Sequence, residues 1–201
     1  SAAVKRCFAP FARYAAGIVL ALLLAACAQQ PMRDAGPRPA RDTIQSYSLD
    51  GRVSVKRGNE SRQAALNWQH NKDRDQIELS GPLGQRAAQL TRDATGATLV
   101  TASRETVKAD DWSSLGERVL GVALPLDGMA RWVTADVPNG SGERDAAGRP
   151  QKALVDGWQV AYLAYESAAA DALPTLIEMH RDDIQVRLKI DLWEIVQSKP
   201  R

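Results

Sequence analysis

The chain has 201 residues, with 26 Lys and Arg against 24 Asp and Glu, two histidines and two cysteines. This balance does not indicate the concentrated basic face that nucleic-acid binding needs, so we expect no nucleic-acid partner. The length suits one domain with additional segments. Two cysteines are too few for a disulfide framework, and the domain must therefore depend on its apolar core.

The start of the sequence, residues 1–26, is typical of an export signal. Basic residues within the first 13 positions precede an apolar run over 15–26, which is shorter than the roughly 20 residues of a membrane-spanning helix. The run ends in Leu24-Ala-Ala-Cys27, which resembles a bacterial lipobox, where the cysteine thiol is joined to diacylglycerol and the chain is cut just before it. We expect Cys27 to become a lipidated first residue, with diacylglycerol and N-acyl groups and no other cofactor. The alternative is an ordinary secretory signal in which Cys27 has no role.

Loss of residues 1–26 would leave 23 Lys and Arg against 24 Asp and Glu, a net charge of about −1. We interpret residues 27–45 as a lipidated N-terminus and a flexible tether. Within it, residues 28–42 are rich in Pro, Ala and Arg, and these fifteen residues would span roughly 20 Å as a random coil. Ala28 stands where an Asp retains lipoproteins in the inner membrane of many Gram-negative bacteria. By that sorting rule the protein is predicted at the outer membrane, lipid-anchored and facing the periplasm.

Alternation of apolar and polar side chains begins at residue 47 and predicts antiparallel strands in a domain over 46–196. Six strands are predicted first, at 47–56, 64–69, 75–80, 86–91, 97–101 and 106–109. Polar turns separate them, among them 57–60, 70–74 and 81–84. Strands at intervals of about ten residues are typical of a meander that curls into a barrel or half-barrel.

Helical spacing interrupts the strands at 110–120, where Asp110 or Asp111 can cap the start, and a second short helix is predicted within 122–133. Residues 136–152 have the composition of a flexible loop. Strands resume at 158–165, 174–179 and 184–192. In the last of these strands, Leu192 is predicted on the same apolar face as Ile184, and Trp193 closes it.

Residues with catalytic or metal-binding patterns are scarce in this sequence. The two histidines, His70 and His180, fall in separate polar turns or strand ends, where a histidine is more often inert than catalytic. Neither a Cys/His cluster with metal-ligand spacing nor a Gly-rich phosphate loop is found. We therefore expect no catalytic residue and no metal site, and a protein that is not an enzyme.

Seven short segments resemble, in family order, the outer-membrane lipoprotein LolB family, and together they cover about residues 45–194. They are Tyr47-Ser-Leu-Asp-Gly-Arg-Val, Leu66-Asn-Trp-Gln-His, Gly81-Pro-Leu-Gly-Gln, Ala109-Asp-Asp, Leu124-Pro-Leu with Arg131-Trp, Gly157-Trp-Gln-Val-Ala-Tyr, and Leu188-Lys-Ile-Asp-Leu-Trp. Each segment is weak alone, but seven in order are hard to obtain by chance.

This resemblance implies a mainly β fold, a half-open antiparallel β-barrel of about 9–11 strands with short helices closing an apolar cavity for acyl chains. It implies a monomeric receptor that accepts lipoproteins from the periplasmic carrier LolA and inserts them into outer-membrane lipid. It also implies that Leu83, on a loop with Pro82 and Gly84, drives the membrane step. Burial of Leu83 in its turn is the alternative.

Seven apolar residues are our candidates for the cavity lining, namely Leu66, Trp68, Ile77, Leu79, Leu90, Leu99 and Trp132. The alternative is that these side chains form an ordinary filled core. Two other functions stay open at this point. One is a membrane-tethered scaffold lipoprotein that binds another envelope protein through its sheet, and the other is a periplasmic hydrolase, which would need a polar cleft.

Overall fold

The computed structural model describes residues 37–120 and 126–196, which fall within one compact unit, Pro37–Arg201. The predicted signal peptide, Cys27 and the first part of the predicted tether therefore lie outside the described residues. Within the described ranges, the helices are too short and too polar to cross a bilayer.

In the described part of the chain, ten strands and two α-helices form, together with one turn of 3-10 helix. The strands are β1 (Ser46–Arg57), β2 (Glu60–Asn71), β3 (Arg74–Ser80), β4 (Arg86–Asp93), β5 (Gly96–Thr101), β6 (Thr106–Ala109), β7 (Lys152–Val155), β8 (Trp158–Tyr165), β9 (Pro174–Arg181) and β10 (Ile184–Ile195). The helices are α1 (Trp112–Leu120) and α2 (Leu126–Trp132), and the 3-10 turn is Arg41–Thr43. The prediction of a mainly β fold with about 9–11 strands is confirmed.

All ten strands belong to one antiparallel sheet with the order β6-β5-β4-β3-β2-β1-β10-β9-β8-β7. The first and last strands, β1 and β10, are therefore neighbours at its centre. The two edge strands, β6 and β7, have only four residues each, and short edges limit unwanted pairing with other chains. The sheet stays open between these edges.

The curvature of the sheet is shown by residues that are far apart in strand order and yet lie around the same cavity. Leu99 of β5 and Met179 of β9 both line it, although their strands are six positions apart in the sheet. In a flat sheet six spacings would separate them by about 29 Å. The concave face carries the alternate apolar residues, such as Leu49, Leu66 and Ile77, while their polar neighbours face out.

Helix α2 is held across the concave face by two buried tyrosines of the sheet. The Tyr47 hydroxyl donates to the Ala130 carbonyl at 3.0 Å, and the Tyr162 hydroxyl donates to the Trp132 carbonyl at 2.9 Å. Carbonyls in the last turn of a helix have no partner within the helix, so the Tyr47 bond satisfies the Ala130 carbonyl. The Tyr162 bond is a second one for the Trp132 carbonyl, which also accepts from the Ala135 N–H at 2.8 Å. Burial raises the pKa of both hydroxyls, and they remain neutral donors.

Helix α1 begins at a capped end and packs against β5 and β6. The Asp111 carboxylate accepts a hydrogen bond from the Ser114 backbone N–H at 2.7 Å, so Asp111 is the cap of the two that the sequence allowed. This bond lowers the pKa of the Asp111 carboxyl. Trp112 and Leu115 are fully buried beneath the helix.

The prediction for Leu192 is wrong because β10 contains a bulge. The register with β1 shifts between Asp50 and Gly51, which inserts one extra residue, Asp191, into β10. Every side chain after the bulge is turned to the other face. Leu192 is consequently 45% exposed, whereas Trp193 is 6% exposed and takes the inward position.

Gly51 makes the close approach at this bulge possible. A Cβ atom at residue 51 would lie 2.1 Å from the Lys189 carbonyl oxygen, so a side chain would force the two strands apart. The same glycine lies within the first of the segments that resemble the LolB family.

Three further features differ from the sequence-based description. Strand β2 continues to Asn71, so His70 lies within a strand and not in a turn. Residues 136–152 contain hydrogen-bonded structure where a flexible loop was predicted, including an isolated bridge between Arg144 and Pro150. Strand β7 escapes sequence analysis because four residues are too few to establish an alternation.

The last part of the predicted tether lies against the domain. The Arg38 guanidinium pairs with Glu166, and the Arg41 guanidinium donates to the carbonyls of Ala170 and Ala172. Both contacts involve the loop between β8 and β9, so the segment from residue 38 to β1 is not a free linker.

Candidate functional site

A cavity of about 610 Å³ lies between the concave face of the sheet and the two helices. Its walls come from β1 to β5, β9, β10, α1 and α2. Most of the side chains around it are aliphatic or aromatic, and its described lining residues are Val53, Val55, Arg57, Glu60, Arg62, Gln63, Ala64, Leu66, Trp68, Ile77, Leu79, Ala87, Ala88, Leu90, Leu99, Leu115, Gly116, Met129, Met179, Ile184, Val186 and Leu188. The concave side is therefore not packed solid.

Six of the seven lining candidates from the sequence lie around this cavity, namely Leu66, Trp68, Ile77, Leu79, Leu90 and Leu99. Trp132 does not. It is buried at the end of α2, outside the lining, with its carbonyl bonded to Tyr162. A short helix turns its successive residues to different sides, and sequence alone does not say which side meets the cavity. Acyl binding by the six residues remains a prediction.

Sequence reasoning missed the wall opposite β2 and β3. Met129 of α2, Leu115 of α1 and Met179 of β9 all line the cavity there. These contacts depend on the curvature of the sheet and on the placement of the helices, which alternation does not reveal. Methionine has a flexible and polarizable side chain, so this wall can adapt to differently shaped apolar ligands.

One end of the cavity is open, and its charged residues are found there. Arg57, Glu60 and Arg62, around the β1–β2 hairpin, are exposed. The Arg57 guanidinium also pairs with Asp183 at 3.5 Å. Deeper lining residues, such as Trp68 and Met179, are buried and apolar. The cavity is thus an apolar slot with a polar mouth, and this mouth coincides with the end of the sheet where β2 begins.

A buried carboxylate lies below the inner end of the slot. Asp75 is 1% exposed, and it accepts hydrogen bonds from Trp68 Nε1 at 2.9 Å and from Arg92 Nε at 2.8 Å. His70 Nδ1 lies 2.6 Å from the same carboxylate. Burial by itself would raise the pKa of Asp75, but the hydrogen bonds from His70, Trp68 and Arg92 outweigh it and lower that pKa.

This network was invisible in the sequence because its four members come from three strands. Asp75 and Arg92 are cross-strand partners in the β3–β4 ladder, and His70 and Asp75 are partners in the β2–β3 ladder. The sequence does contain one indication of this network, because Asp75 is at an inward position of an alternating strand, on the same face as Ile77. Such a residue requires a charged or hydrogen-bonding partner, since a lone buried charge is very unfavourable.

Leu83 projects from the turn between β3 and β4 and is 92% exposed, so the alternative of a buried turn leucine is excluded. The turn is well defined. The Gly84 N–H donates to the Gly81 carbonyl at 2.9 Å, and the Leu83 N–H donates to Gln85 Oε1 at 3.1 Å. Gly84 has φ +78°, a conformation that favours glycine. Pro82 and Gly84 are exposed on either side of the leucine.

Leu83 stands beside the cavity mouth. Leu79 and Ala88, which flank the turn in β3 and β4, both line the cavity. Ser80, at the end of β3, pairs with Ala65 of β2, and Ala65 pairs with Arg52 of β1. The turn after Ser80 therefore lies at the same end of the sheet as the β1–β2 hairpin. An exposed leucine and the entrance to an apolar slot therefore share one end of the molecule.

Fold and site together define a half-barrel protein with an apolar cavity, in which one curved antiparallel sheet and two short helices enclose space for an apolar ligand. The family model described as outer membrane lipoprotein LolB matches residues 45–193. The chain belongs to this family and is accordingly an outer-membrane lipoprotein.

Two proteins named outer-membrane lipoprotein LolB are similar to this chain over most of its length. An outer-membrane lipoprotein LolB from Azoarcus sp. (strain BH72) is 38% identical over 94% of this chain and 99% of its own length. One from Thiobacillus denitrificans is 35% identical over 87% of this chain and 94% of its own length. Among solved structures, a LolA superfamily protein from Nitrosomonas europaea matches with TM-score 0.45 and 10% identity, over 78% of this chain and 89% of that one. A DUF1329 family protein from Desulfovibrio piger matches with TM-score 0.49 and 9% identity, over 77% and 87%.

Proposed function

We propose that this protein is an outer-membrane-anchored receptor that accepts other lipoproteins and inserts them into the outer membrane, with their acyl chains held in the cavity. The observation that carries the proposal is the position of the exposed Leu83 beside the mouth of an apolar slot. The slot can keep an acyl chain away from water. The leucine can contact the bilayer into which that chain must move.

The donor in this proposal is a soluble periplasmic carrier of the LolA type, as family membership implies. Transfer runs downhill without nucleotide hydrolysis, because the carrier binds the acyl chains less tightly than this domain and the domain less tightly than the bilayer. Each partner thus shifts the population of cargo toward the membrane.

Membrane attachment is divided between two residues in this proposal. The lipids on Cys27 hold the protein, since each acyl methylene contributes about 0.8 kcal/mol and two or more chains are needed for stable anchoring. Burial of the Leu83 side chain in lipid contributes roughly 1.5–3 kcal/mol. That is enough for transient contact and too little for anchoring, so Leu83 can enter and leave the bilayer with each cargo.

The lining favours binding over hydrolysis. A hydrolase needs polar groups that converge on its ligand, whereas the described lining is apolar below the mouth and its charged residues lie at the exposed end. We therefore propose that the protein works by binding and release, without covalent catalysis, and that it does so as a monomer.

The decisive test is transfer from a lipoprotein-loaded carrier to the chain from residue 28 onward, which contains the whole compact unit. The two proteins are mixed and then separated by an affinity tag on this chain. We expect the cargo to be recovered with this chain and no longer with the carrier. Ala88→Arg, which places a charge in the slot, should abolish acceptance. Gln89→Arg, on the opposite face of the same strand, should leave it intact. Cargo that stays on the carrier with the unsubstituted chain would refute the proposal.

A further inference from the structure

We infer that the Gln85 side chain prepares the turn around Leu83 for contact with lipid, because it satisfies a backbone N–H that the leucine would otherwise carry unpaired into the bilayer. This inference rests on the proposed function, in which Leu83 makes the membrane contact. Gln85 is a positioning residue in this step, since it acts through the turn that carries the leucine.

A loop that enters lipid must bring its polar backbone groups with it. The hydrocarbon region offers no water to pair with them, so each unsatisfied group is unfavourable there. The N–H groups impose the stricter requirement, because a carbonyl oxygen has two lone pairs and is more often left incompletely paired in native proteins. An apolar side chain alone therefore does not make a turn suitable for insertion.

The turn at residues 81–84 pairs its N–H groups internally. The Gly84 N–H donates to the Gly81 carbonyl at 2.9 Å, and the Gly81 N–H donates to the Gln85 carbonyl at 2.9 Å. The Leu83 N–H donates to Gln85 Oε1 at 3.1 Å. Pro82 has no N–H, and its fixed φ suits the second position of the turn. Gln85 thus supplies two of the three acceptors, one from its backbone and one from its side chain.

Gly81 provides the space in which the Gln85 side chain lies. A Cβ atom at residue 81 would be 2.4 Å from Gln85 Nε2 and 2.9 Å from Gln85 Cδ. The amide therefore lies directly against the backbone of the turn, although Gln85 is an exposed residue. Gly81 does not have the positive φ of Gly84, so the need for space explains the glycine at this position.

Gln85→Met is the first test, because methionine has nearly the same length and lacks the amide oxygen. Methionine is also the more apolar residue, so apolar contact alone predicts better insertion of cargo into liposomes. We expect insertion to fall at least about fivefold, with acceptance from the carrier unchanged, because the Leu83 N–H would enter lipid unpaired. Normal or improved insertion by this variant would overturn the inference.

Gln159→Met is the matched control. Gln159 is also an exposed glutamine, but it lies on the outer face of β8 and not in the turn. Its substitution should leave insertion as it is in the original protein. If the two variants lose insertion equally, the loss does not depend on the bond to Leu83 and the inference is wrong.

Amide hydrogen exchange in water reports the hydrogen bond without any membrane. The Leu83 amide should exchange about 2 to 10 times faster in Gln85→Met than in the original protein. The midpoint of urea denaturation should change little, because the residue is exposed. Unchanged exchange at Leu83 would mean that Gln85 does not hold this amide, and would overturn the inference whatever the insertion result.

Gly81→Ala is a second and independent variant, because its Cβ would displace the flexible Gln85 amide. It should lower insertion by about the same factor as Gln85→Met. The double substitution should be no worse than either single one, since both remove the same bond. Losses that multiply in the double variant would show that the two residues act separately, which contradicts the inference.

Insertion by the original protein separates this inference from the proposed function. If the original protein and Gln85→Met insert cargo equally well, the role of Gln85 is refuted and the receptor function stands. If the original protein accepts cargo and inserts none, the membrane step of the proposed function fails, and the inference fails with it.

Discussion

Arg38 and Glu166, 128 residues apart in the sequence, form an ion pair with two parallel hydrogen bonds. Nε donates to Oε2 at 3.1 Å and Nη2 donates to Oε1 at 2.5 Å, and both side chains are 16% exposed. The Arg38 backbone N–H also donates to Asp171 at 2.8 Å. Arg38 is therefore held at the loop between β8 and β9, at the opposite end of the strands from Leu83.

Arg38→Ala should loosen this attachment and destabilise the fold modestly. We expect the free energy of unfolding to fall by about 1–2 kcal/mol, since the pair is partly shielded from solvent and doubly bonded. Urea denaturation measures this change, and hydrogen exchange should become faster at the amides of Thr43 and Ile44. The control is Arg52→Ala, which removes a single exposed contact with Asp191 at 3.4 Å and should change stability by less than about 0.5 kcal/mol. Equal effects of the two substitutions would argue against a docked segment.

Asp75→Asn should show how the buried network depends on pH. The pKa of Asp75 is lower in the folded protein than in the unfolded chain, so its stabilising contribution is complete above about pH 4 and is lost as pH falls through the folded value. At pH 7 the substitution removes the negative charge beside Arg92 and should lower the free energy of unfolding by about 3 kcal/mol.

The gap between the original protein and Asp75→Asn should therefore narrow as the pH of the urea denaturation is lowered from 7 to 2.5. Asp93→Asn, at an exposed carboxylate bonded to Thr95, is the control and should change stability little. A constant gap across this range would mean that the charge of Asp75 does not stabilise the fold.

Leu83→Glu should block delivery into the membrane without disturbing the fold. The side chain is 92% exposed and the turn is held by its neighbours, so the free energy of unfolding should change by less than about 0.5 kcal/mol. Acceptance of cargo should persist, while insertion into liposomes should fall at least about tenfold, because roughly 1.5–3 kcal/mol of lipid contact is lost.

Leu154→Glu is the matched control for this prediction. Leu154 is also a largely exposed leucine, at 61%, but it lies on edge strand β7 and not at the cavity mouth. Insertion should be unaffected by this substitution. If both variants lose insertion equally, surface charge and not the position of Leu83 would be responsible.

Trp193→Ala and Leu192→Ala should differ sharply, although the strand pattern alone ranks Leu192 as the buried residue. Trp193 packs against Tyr47 and its indole N–H donates to the Pro174 carbonyl at 2.8 Å, so its removal should destabilise by about 3–5 kcal/mol. The bulge turns Leu192 to the outer face, so Leu192→Ala should lower the free energy of unfolding by less than about 1 kcal/mol. Thermal or urea unfolding of the two variants measures the difference, and similar losses would contradict the register of β10.

Elements with local signatures could be predicted from the sequence. Alternation located nine of the ten described strands within a few residues. The spacing of Trp112 and Leu115, after a capping Asp110 or Asp111, located α1. Six of the seven cavity candidates emerged from the same alternation, because residues two apart in a strand share a face. The position of Leu83 between Pro82 and Gly84 left both exposure and burial open, and the structure decides for exposure, at 92%.

The sequence by itself thus determined the strand pattern, the composition of the concave face and the membership of a lipoprotein family, all of which depend on residues close together in the chain. Only the tertiary structure decided that this face surrounds an open slot, that Trp132 lies outside it, and that Asp75, below the slot, is bonded to the lining residue Trp68 and to partners on neighbouring strands. It also decided the bulge that exposes Leu192 and the attachment of Arg38 to Glu166. Each depends on residues brought together by the curvature and register of the sheet, and short-range periodicity carries no information about either.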